Sequence, residues 1–191
     1  RTETTTELLN NNTSGEKIYP GFGEYMEHQQ GIGGSHIIAK GYLNNTPANR
    51  FNKQILKNMA ANVEGDFVGE LNPVSFINYW IKRYNNNYTT AQIKINSYED
   101  LYQTVCKDES VPVDVIKTFG QIESNNKGLV SLTTTHRGIM QISNEIADSY
   151  KLSNTDVKDS ITMACRLYKQ YNKDNPFLFL EMSATIQYLK L

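Results

Sequence analysis

A carboxylate at the end of an apolar, helix-period segment is the strongest candidate for chemistry in this chain. Ile116, Phe119, Gly120 and Glu123 recur at i, i+3, i+4 and i+7, which places Glu123 on the apolar face of a predicted helix that begins near Pro112. Burial disfavours the charged form of a carboxyl group and raises its pKa, as a general acid near neutral pH requires. Periodicity alone favours the alternative, a glutamate at a helix end that reaches water.

The residues that follow Glu123 form a recognisable pattern. Glu123-Ser124 is followed by a polar loop of Asn, Ser and Thr, and then by GIMQI at residues 138–142. This arrangement resembles goose-type lysozymes and soluble lytic transglycosylases, in which a helix ends in Glu-Ser and Gly-Leu-Met-Gln-Ile follows at the same distance. DSITMACRLY at 159–168 is similar to a later helix of the family, with Ala164 where Gly is usual. The usual Pro-Ala-Thr-Ala after the motif is replaced here by residues 143–147.

The resemblance implies a mainly α, lysozyme-like fold and an enzyme that cleaves peptidoglycan. Glu123 would protonate the bridging oxygen of the β-1,4 bond between N-acetylmuramic acid and N-acetylglucosamine. Residues of the Glu-Ser pair, the polar loop and the GIMQI motif would bind the sugar: Ser124, Ser131, Gly138, Met140 and Gln141. Ser131 lies about one position from the family's loop serine. Ordinary roles remain open, with Met140 in the core and Ser124 as a polar residue at a helix end.

The product of the reaction depends on a second acid. A lytic transglycosylase uses one carboxylate twice and closes a 1,6-anhydro ring on muramic acid, whereas an inverting hydrolase needs another carboxylate to activate water. Asp148 and Asp156 match no such position by motif and are typical of helix-start or solvated acids. We therefore expect a transglycosylase, with a hydrolytic muramidase as the alternative.

The segment that normally ends the family pattern, around Tyr-Asn-Ala-Gly-Pro-Gly, is not found near residue 191. EYMEHQQGIGGSHIIAKGY at 24–42 is similar to it, with His28 and Gln29 in place of Tyr and Asn, and 72–84 is similar to the final helix. These similarities imply a circular permutation in which His28, Gln29 and Gln30 form the second wall of the cleft. The alternative for GIGG at 31–34 is a turn between two helices.

The organisation of the chain is expected to be one lysozyme-like domain after a flexible arm at 1–17. Within 18–191, the part at 18–96 would supply one cleft wall and the part at 97–191 would carry Glu123. Residues 85–96 are predicted to be a loop with a short strand and the seam between the two parts. Further helices are predicted from FNKQILKNMAANV, Leu71 to Tyr84, SYEDLYQTVC, SVPVDVIKTFGQIES, SNTDVKDSITMACRLYKQY and NPFLFLEMSATIQYL.

Composition excludes several classes of protein. The 191 residues carry 19 Lys and Arg against 20 Asp and Glu, with the basic residues scattered, so nucleic acid is not expected as a partner. No apolar stretch approaches the length of a membrane span. His28, His36 and His136 lack metal-ligand spacing, so neither a metal nor a cofactor is expected.

The expected location is the periplasm or the outside of the cell. The polar start of the chain contains no signal peptide, so export would involve processing or another route, such as a secretion system or a phage particle. Besides the glycan strand, a delivery protein or an immunity protein is a candidate partner. Cys106 and Cys165 are too few for a disulfide framework; free thiols and a single bridge both stay open.

Two further function classes compete with the enzyme. The first is a wall-binding or virion structural module that kept the fold without turnover, and the second is a helical adaptor that binds proteins. An inward-facing acid at Glu123 favours the enzyme over the module, because a module has no need for it. An adaptor would be favoured by an extensive exposed apolar stripe, which the sequence does not contain.

Overall fold

The fold is mainly α-helical, as predicted. The computed structural model describes residues 4–10, 17–93, 97–128 and 135–172. Its elements are α1 (Thr5–Asn10), α2 (Phe22–Leu43), a 3-10 turn (Ala48–Arg50), α3 (Lys53–Ala60), α4 (Pro73–Ile93), α5 (Glu99–Asp108), α6 (Val113–Ser124), β1 (His136–Arg137), β2 (Ile142–Ser143), α7 (Asn144–Tyr150) and α8 (Val157–Asn172). None of the described helices is long and apolar enough to cross a membrane.

The chain divides into two compact units. The first comprises Arg1–Arg83 with Tyr171–Leu191, and the second comprises Tyr84–Gln170. The first boundary therefore lies inside α4, before the predicted seam at 85–96. The predicted C-terminal helix over 175–188 lies outside the described residues.

The first unit has a core contributed by α2, α3 and the start of α4. Its fully buried side chains include Met26, Ile38, Met59, Phe76 and Ile81. The ring of Tyr25 packs on Trp80 at 5.7 Å between centroids. A Cβ on Gly41 would lie 2.7 Å from the Phe51 ring, so glycine is required where α2 meets this side chain.

Helix α1 also belongs to the first unit, which corrects the prediction of a flexible arm for these residues. Leu8 and Leu9 are 4% and 1% exposed, and the helix packs on α2. Its start is a reciprocal capping box, in which Thr4 N donates to Glu7 Oε2 (2.8 Å) and Glu7 N donates to Thr4 Oγ1 (3.1 Å). The polar composition of the segment concealed this short signal.

Helix α2 bends once, at Gly31. This residue has φ 69° and ψ 156°, which interrupts the helix between the segments on either side. The turn that was the alternative for GIGG is thus a kink at one glycine.

Helix α4 is longer than predicted, and the loop or strand expected at 85–93 is wrong. Asn72 Oδ1 accepts from Ser75 N (2.9 Å) and caps the start of the helix. The helix continues through the Asn-rich stretch because Tyr84 and Ala91 are buried, at 0% and 1% exposure. Burial of this face offsets the modest helix propensity of Asn and Thr.

The second unit packs α5, α6 and α8 with the end of α4. Its fully buried side chains include Tyr102, Ile116, Ile139 and Ile161. Asp156 Oδ1 accepts from Asp159 N (2.9 Å) directly before α8, so Asp156 is a helix-start acid, one of the two roles expected for it. Strands β1 and β2 form an antiparallel hairpin in which His136 pairs with Ser143 and Arg137 pairs with Ile142.

Candidate functional site

Glu123 lies in the last turn of α6. Its side chain is half-buried, whereas residues 115–121 before it are buried. The prediction of a buried carboxylate is therefore wrong in degree: the apolar face is covered along α6, but Glu123 lies at the helix end. The backbone of Glu123 is held by α6, and its side chain keeps partial exposure to solvent.

The end of α6 is fixed by two asparagines in left-handed conformation. Asn125 and Asn126 have φ of 54° and 55°. Their backbone N–H groups donate to Gln121 O (3.0 Å) and Gly120 O (2.9 Å), which closes the helix. Asparagine adopts this conformation more readily than most residues, so the sequence specifies where the helix ends and where Glu123 lies.

A glycine lets α5 approach this helix end closely. A Cβ on Gly120 would lie 2.2 Å from Tyr102 Oη, so no larger residue fits there without displacement. Tyr102 Oη in turn donates to Asn126 Oδ1 at 2.6 Å. Helix α5 thus helps to position the residues that follow Glu123.

The GIMQ segment forms the turn of the β1–β2 hairpin. Gly138 has φ 77° and Gln141 has φ 46°. The Gln141 backbone N–H donates to Gly138 O at 3.2 Å, and its side-chain Nε2 donates to the same oxygen at 2.8 Å. The glutamine thus braces the turn with both its main chain and its amide.

Ser124 joins the two parts of the sequence motif. Its hydroxyl donates to Ile139 O at 2.8 Å and accepts from Lys127 N at 3.2 Å. Ser124 is 6% exposed, so this bond is formed away from water. The Glu-Ser end of α6 and the GIMQI turn are therefore in direct contact through the neighbour of Glu123.

Asn154 supports the hairpin from the segment before α8, and sequence reasoning missed it. Its side-chain amide donates to Ile142 O (2.8 Å) and to Asn144 Oδ1 (3.0 Å). The backbone carbonyl oxygen of Asn154 would lie 1.8 Å from a Cβ on Gly138. Since asparagine is common before helices, its place in the sequence resembles an ordinary cap, and only the tertiary contacts distinguish it.

The buried cation of α6 is committed to a structural ion pair. Lys117 is 6% exposed and binds Glu99 Oε2 at 2.8 Å. This hydrogen bond from Lys117 lowers the pKa of Glu99. Of the two acids considered as a second carboxylate, Asp156 caps α8 and Asp148 is exposed on α7.

The other predicted sugar-binding residues of this segment are buried or lie outside the described part. Met140 and Gln141 are 3% and 6% exposed, and Gly138 is buried. In this structure they build the turn, and their contact with a sugar stays a prediction. Ser131 lies outside the described residues.

His28, Gln29 and Gln30 lie together on α2, in the first unit. All three are half-buried. The His28 ring packs 6.3 Å from Tyr25 and 6.4 Å from Tyr171, and Gln30 Nε2 donates to Gln29 Oε1 at 3.1 Å. Because Glu123 belongs to the second unit, a cleft shared by these residues and Glu123 stays a prediction.

Two buried acids beside this segment were also missed. Glu24 and Glu27 are 4% and 3% exposed, and Thr5 N donates to Glu27 Oε1 at 3.2 Å. Within the described residues, the Oε2 atom of each has no hydrogen-bond partner. Burial raises the pKa of Glu24, and raises the pKa of Glu27 from 4.5 to about 7. The sequence did offer one signal: the two glutamates are three residues apart, so they share one face of a helix that also carries apolar residues.

No group of three or more His, Cys, Asp and Glu side chains in the described ranges is arranged to hold a metal ion. Comparisons with protein-family models, with curated proteins and with solved structures gave no match to this chain. The geometry of the two units therefore carries the functional argument.

Proposed function

We propose that this protein cleaves the β-1,4 bond between N-acetylmuramic acid and N-acetylglucosamine in peptidoglycan, with Glu123 as the general acid. The observation that carries the proposal is the hydrogen bond from Ser124 Oγ to Ile139 O at 2.8 Å. The two segments that resemble lytic transglycosylases and goose-type lysozymes are separated in sequence, and this bond joins them. If either segment resembled the family only by chance, the two segments would not need to be in contact.

The position of Glu123 suits the first step of such a reaction. The carboxyl end of a helix carries a partial negative charge, so a neutral carboxylic acid is better accommodated there than a carboxylate. A neutral acid can donate its proton to the bridging oxygen as the bond breaks. Because the side chain is half-buried, a glycan strand can reach it.

The second step would use the same carboxylate as a base. It would take the proton from the C6 hydroxyl of the muramic residue, whose oxygen then closes a 1,6-anhydro ring. This product is favoured over a reducing end because Asp148 and Asp156 are an exposed acid and a helix cap. A hydrolytic muramidase would instead need one of them, or another acid, to hold water across the ring.

The proposed fold is lysozyme-like of the goose type, in a circularly permuted order. The second cleft wall would come from His28, Gln29 and Gln30, which offer donors and acceptors on α2 beside the kink at Gly31. Permuted orders are physically tolerated where chain ends lie at a surface. In this proposal the glycan would be fixed by polar groups from two sides.

Digestion of purified peptidoglycan, followed by mass spectrometry of the released fragments, tests the proposal. Anhydro-muropeptides are expected. Reducing muropeptides would assign the chain to the hydrolytic alternative. Sedimentation with the wall without any release would indicate the non-catalytic wall-binding module and would overturn the enzymatic proposal.

A further inference from the structure

The two cysteines of the chain lie against each other in the core of the second unit. Cys106 is on α5 and Cys165 is on α8, and their Sγ atoms are 3.7 Å apart. They are 1% and 0% exposed, and 59 positions separate them in sequence. Both are free thiols in this structure.

The surrounding contacts hold α5 and α8 together at this point independently of the sulfurs. Glu109, at the end of α5, accepts from Arg166 Nε at 3.0 Å and forms a second ion pair with Lys169. A disulfide requires the two sulfurs to approach to about 2.05 Å. The observed Sγ–Sγ distance of 3.7 Å must therefore shorten for a bond to form, and the ion pairs keep the two helices adjacent while it does so.

The folded thiols are poorly reactive, which limits when a bond can form. The hydrogen bond to Cys106, together with burial, raises the pKa of the Cys165 thiol. The thiolate is the species that attacks a disulfide, so exchange in the folded unit is slow. Oxidation is therefore expected before the core closes, and a bond formed then is shielded from reductants afterwards.

We propose that Cys106 and Cys165 form a disulfide bond when the chain folds in the presence of a disulfide oxidant such as glutathione disulfide. A thiolate of one cysteine attacks the oxidant and releases one glutathione thiol, and the other cysteine then displaces the second. One intrachain S–S bond forms, the S–S bond of the oxidant breaks, and the two electrons and two protons of the cysteines appear on two glutathione thiols. This bond does not depend on the chemistry proposed for Glu123.

The bond would stabilise the scaffold of the candidate site. Helix α5 packs on α6, and its Tyr102 donates a hydrogen bond to Asn126, two residues after Ser124. Closing a loop of this length restricts the unfolded chain and raises the temperature of unfolding. The cross-link thus fits a protein that works in an oxidising compartment.

The test is refolding of the reduced, denatured full-length chain in a buffer of reduced and oxidised glutathione. Free thiols are then blocked with an alkylating reagent under denaturing conditions, and the intact mass is measured. The expected product is a monomer without alkyl groups, lighter by two hydrogen atoms than the reduced chain, with one peptide pair joined through Cys106 and Cys165. Its midpoint of thermal unfolding should exceed that of the same sample after reduction by on the order of 10 °C.

The matched control is the double variant Cys106→Ala/Cys165→Ala, whose midpoint should be the same with and without reductant. Two alkylated thiols in the wild-type chain after refolding would overturn the proposal. So would a glutathione adduct, a bond between two chains, or a bridged form that unfolds at a lower temperature than the reduced form. If the double variant does not fold, two measurements on the wild-type chain decide the result. These are its intact mass after alkylation and its midpoint of thermal unfolding before and after reduction.

Discussion

At the scale of single residues, a few side chains hold Glu123 beside the hairpin. Ser124 is the most direct of these, because its buried hydroxyl spans from the end of α6 to Ile139. Gly138 is the second, because its positive φ and its close approach to Asn154 exclude a side chain. Both residues belong to the motif on which the sequence argument was based.

Ser124→Ala is expected to lower the free energy of unfolding by about 1–3 kcal/mol, since the buried carbonyl of Ile139 loses its donor. Wall cleavage should fall as well, because the end of α6 and the turn are no longer joined. Chemical denaturation and a muropeptide-release assay measure the two effects. Ser149→Ala is the matched control, as its hydroxyl also donates to a carbonyl, Ile146 O at 2.7 Å, but is exposed. Equal effects of the two substitutions would contradict the proposed role of Ser124.

Gly138→Ala is expected to destabilise the protein by about 2 kcal/mol or more. The new Cβ would lie 1.8 Å from Asn154 O, in a conformation with φ 77°. Gly33→Ala is the control, because a Cβ at Gly33 meets nothing within 4 Å. Replacing this helical glycine should be neutral or slightly stabilising. Thermal unfolding of both variants checks the difference, and a neutral Gly138→Ala would refute the geometry of the turn.

At the scale of elements, helices with a regular apolar period were predictable, whereas α1, despite its capping box, and the second half of α4 were not. The helix predicted from Leu71 is α4, which Asn72 caps, and the helix predicted from SNTDVKDSITMACRLYKQY is α8, which Asp156 caps. The second half of α4 was missed because its Asn and Thr residues disfavour helix in isolation. In the folded unit, Thr89 and Thr90 donate their hydroxyls to carbonyls one turn earlier, and the burial of Tyr84 and Ala91 stabilises the helix.

The candidate site was predictable only in part for a similar reason. Periodicity placed Glu123 on α6 and the motif singled out residues 138–142, since both are properties of short segments, but the hairpin turn that these residues form was not predicted. The degree of burial of Glu123 depends on where α6 ends, and the bracing by Asn154 depends on a contact distant in sequence. Neither follows from local spacing.

The buried carboxyl group of Glu27 on α2 is expected to make the stability of the first unit depend on pH. Burial raises the pKa of Glu27 to about 7 in the folded unit, against 4.5 for a glutamate that is not buried. The stabilisation associated with the protonated form is complete below about pH 4.5 and is lost as the pH rises through about 7. The loss is on the order of 3 kcal/mol, as expected for a shift of this size.

Denaturation curves between pH 4 and 8 measure this effect in wild type, Glu27→Gln and Glu70→Gln. The decrease of the free energy of unfolding with rising pH should be smaller in Glu27→Gln, because glutamine cannot ionise. It should persist in Glu70→Gln, because Glu70 is exposed on the same unit. An unchanged slope in Glu27→Gln would show that Glu27 does not titrate in this range.

At the scale of the whole molecule, the position of the boundary in α4 predicts which fragment folds. The second unit begins at Tyr84, which is fully buried, and Gln92 Nε2 donates to Asp114 O at 3.1 Å. A fragment of residues 84–172 is expected to fold, whereas a fragment of residues 97–172 should not, because it lacks this part of the core. Circular dichroism with thermal melting distinguishes them, and a cooperative transition in the shorter fragment would contradict the assignment.

The same fragment tests the permuted order. If His28, Gln29 and Gln30 supply the second cleft wall, the folded fragment of residues 84–172 should fail to cleave peptidoglycan. In the full chain, His28→Ala and Gln29→Ala should lower turnover more than stability. Full activity of the fragment would remove the first unit from the site and leave it as an accessory part.

The most direct test of the central claim compares Glu123→Gln with wild type in the release of muropeptides from purified peptidoglycan. The amide is nearly isosteric with the acid but cannot donate a proton to the leaving oxygen, so release should fall by on the order of 10²–10⁴-fold while thermal stability is retained. Glu145→Gln, which alters an exposed glutamate on α7, should release fragments at the wild-type rate. Wild-type release by a folded Glu123→Gln variant would contradict the assignment of Glu123 as the general acid.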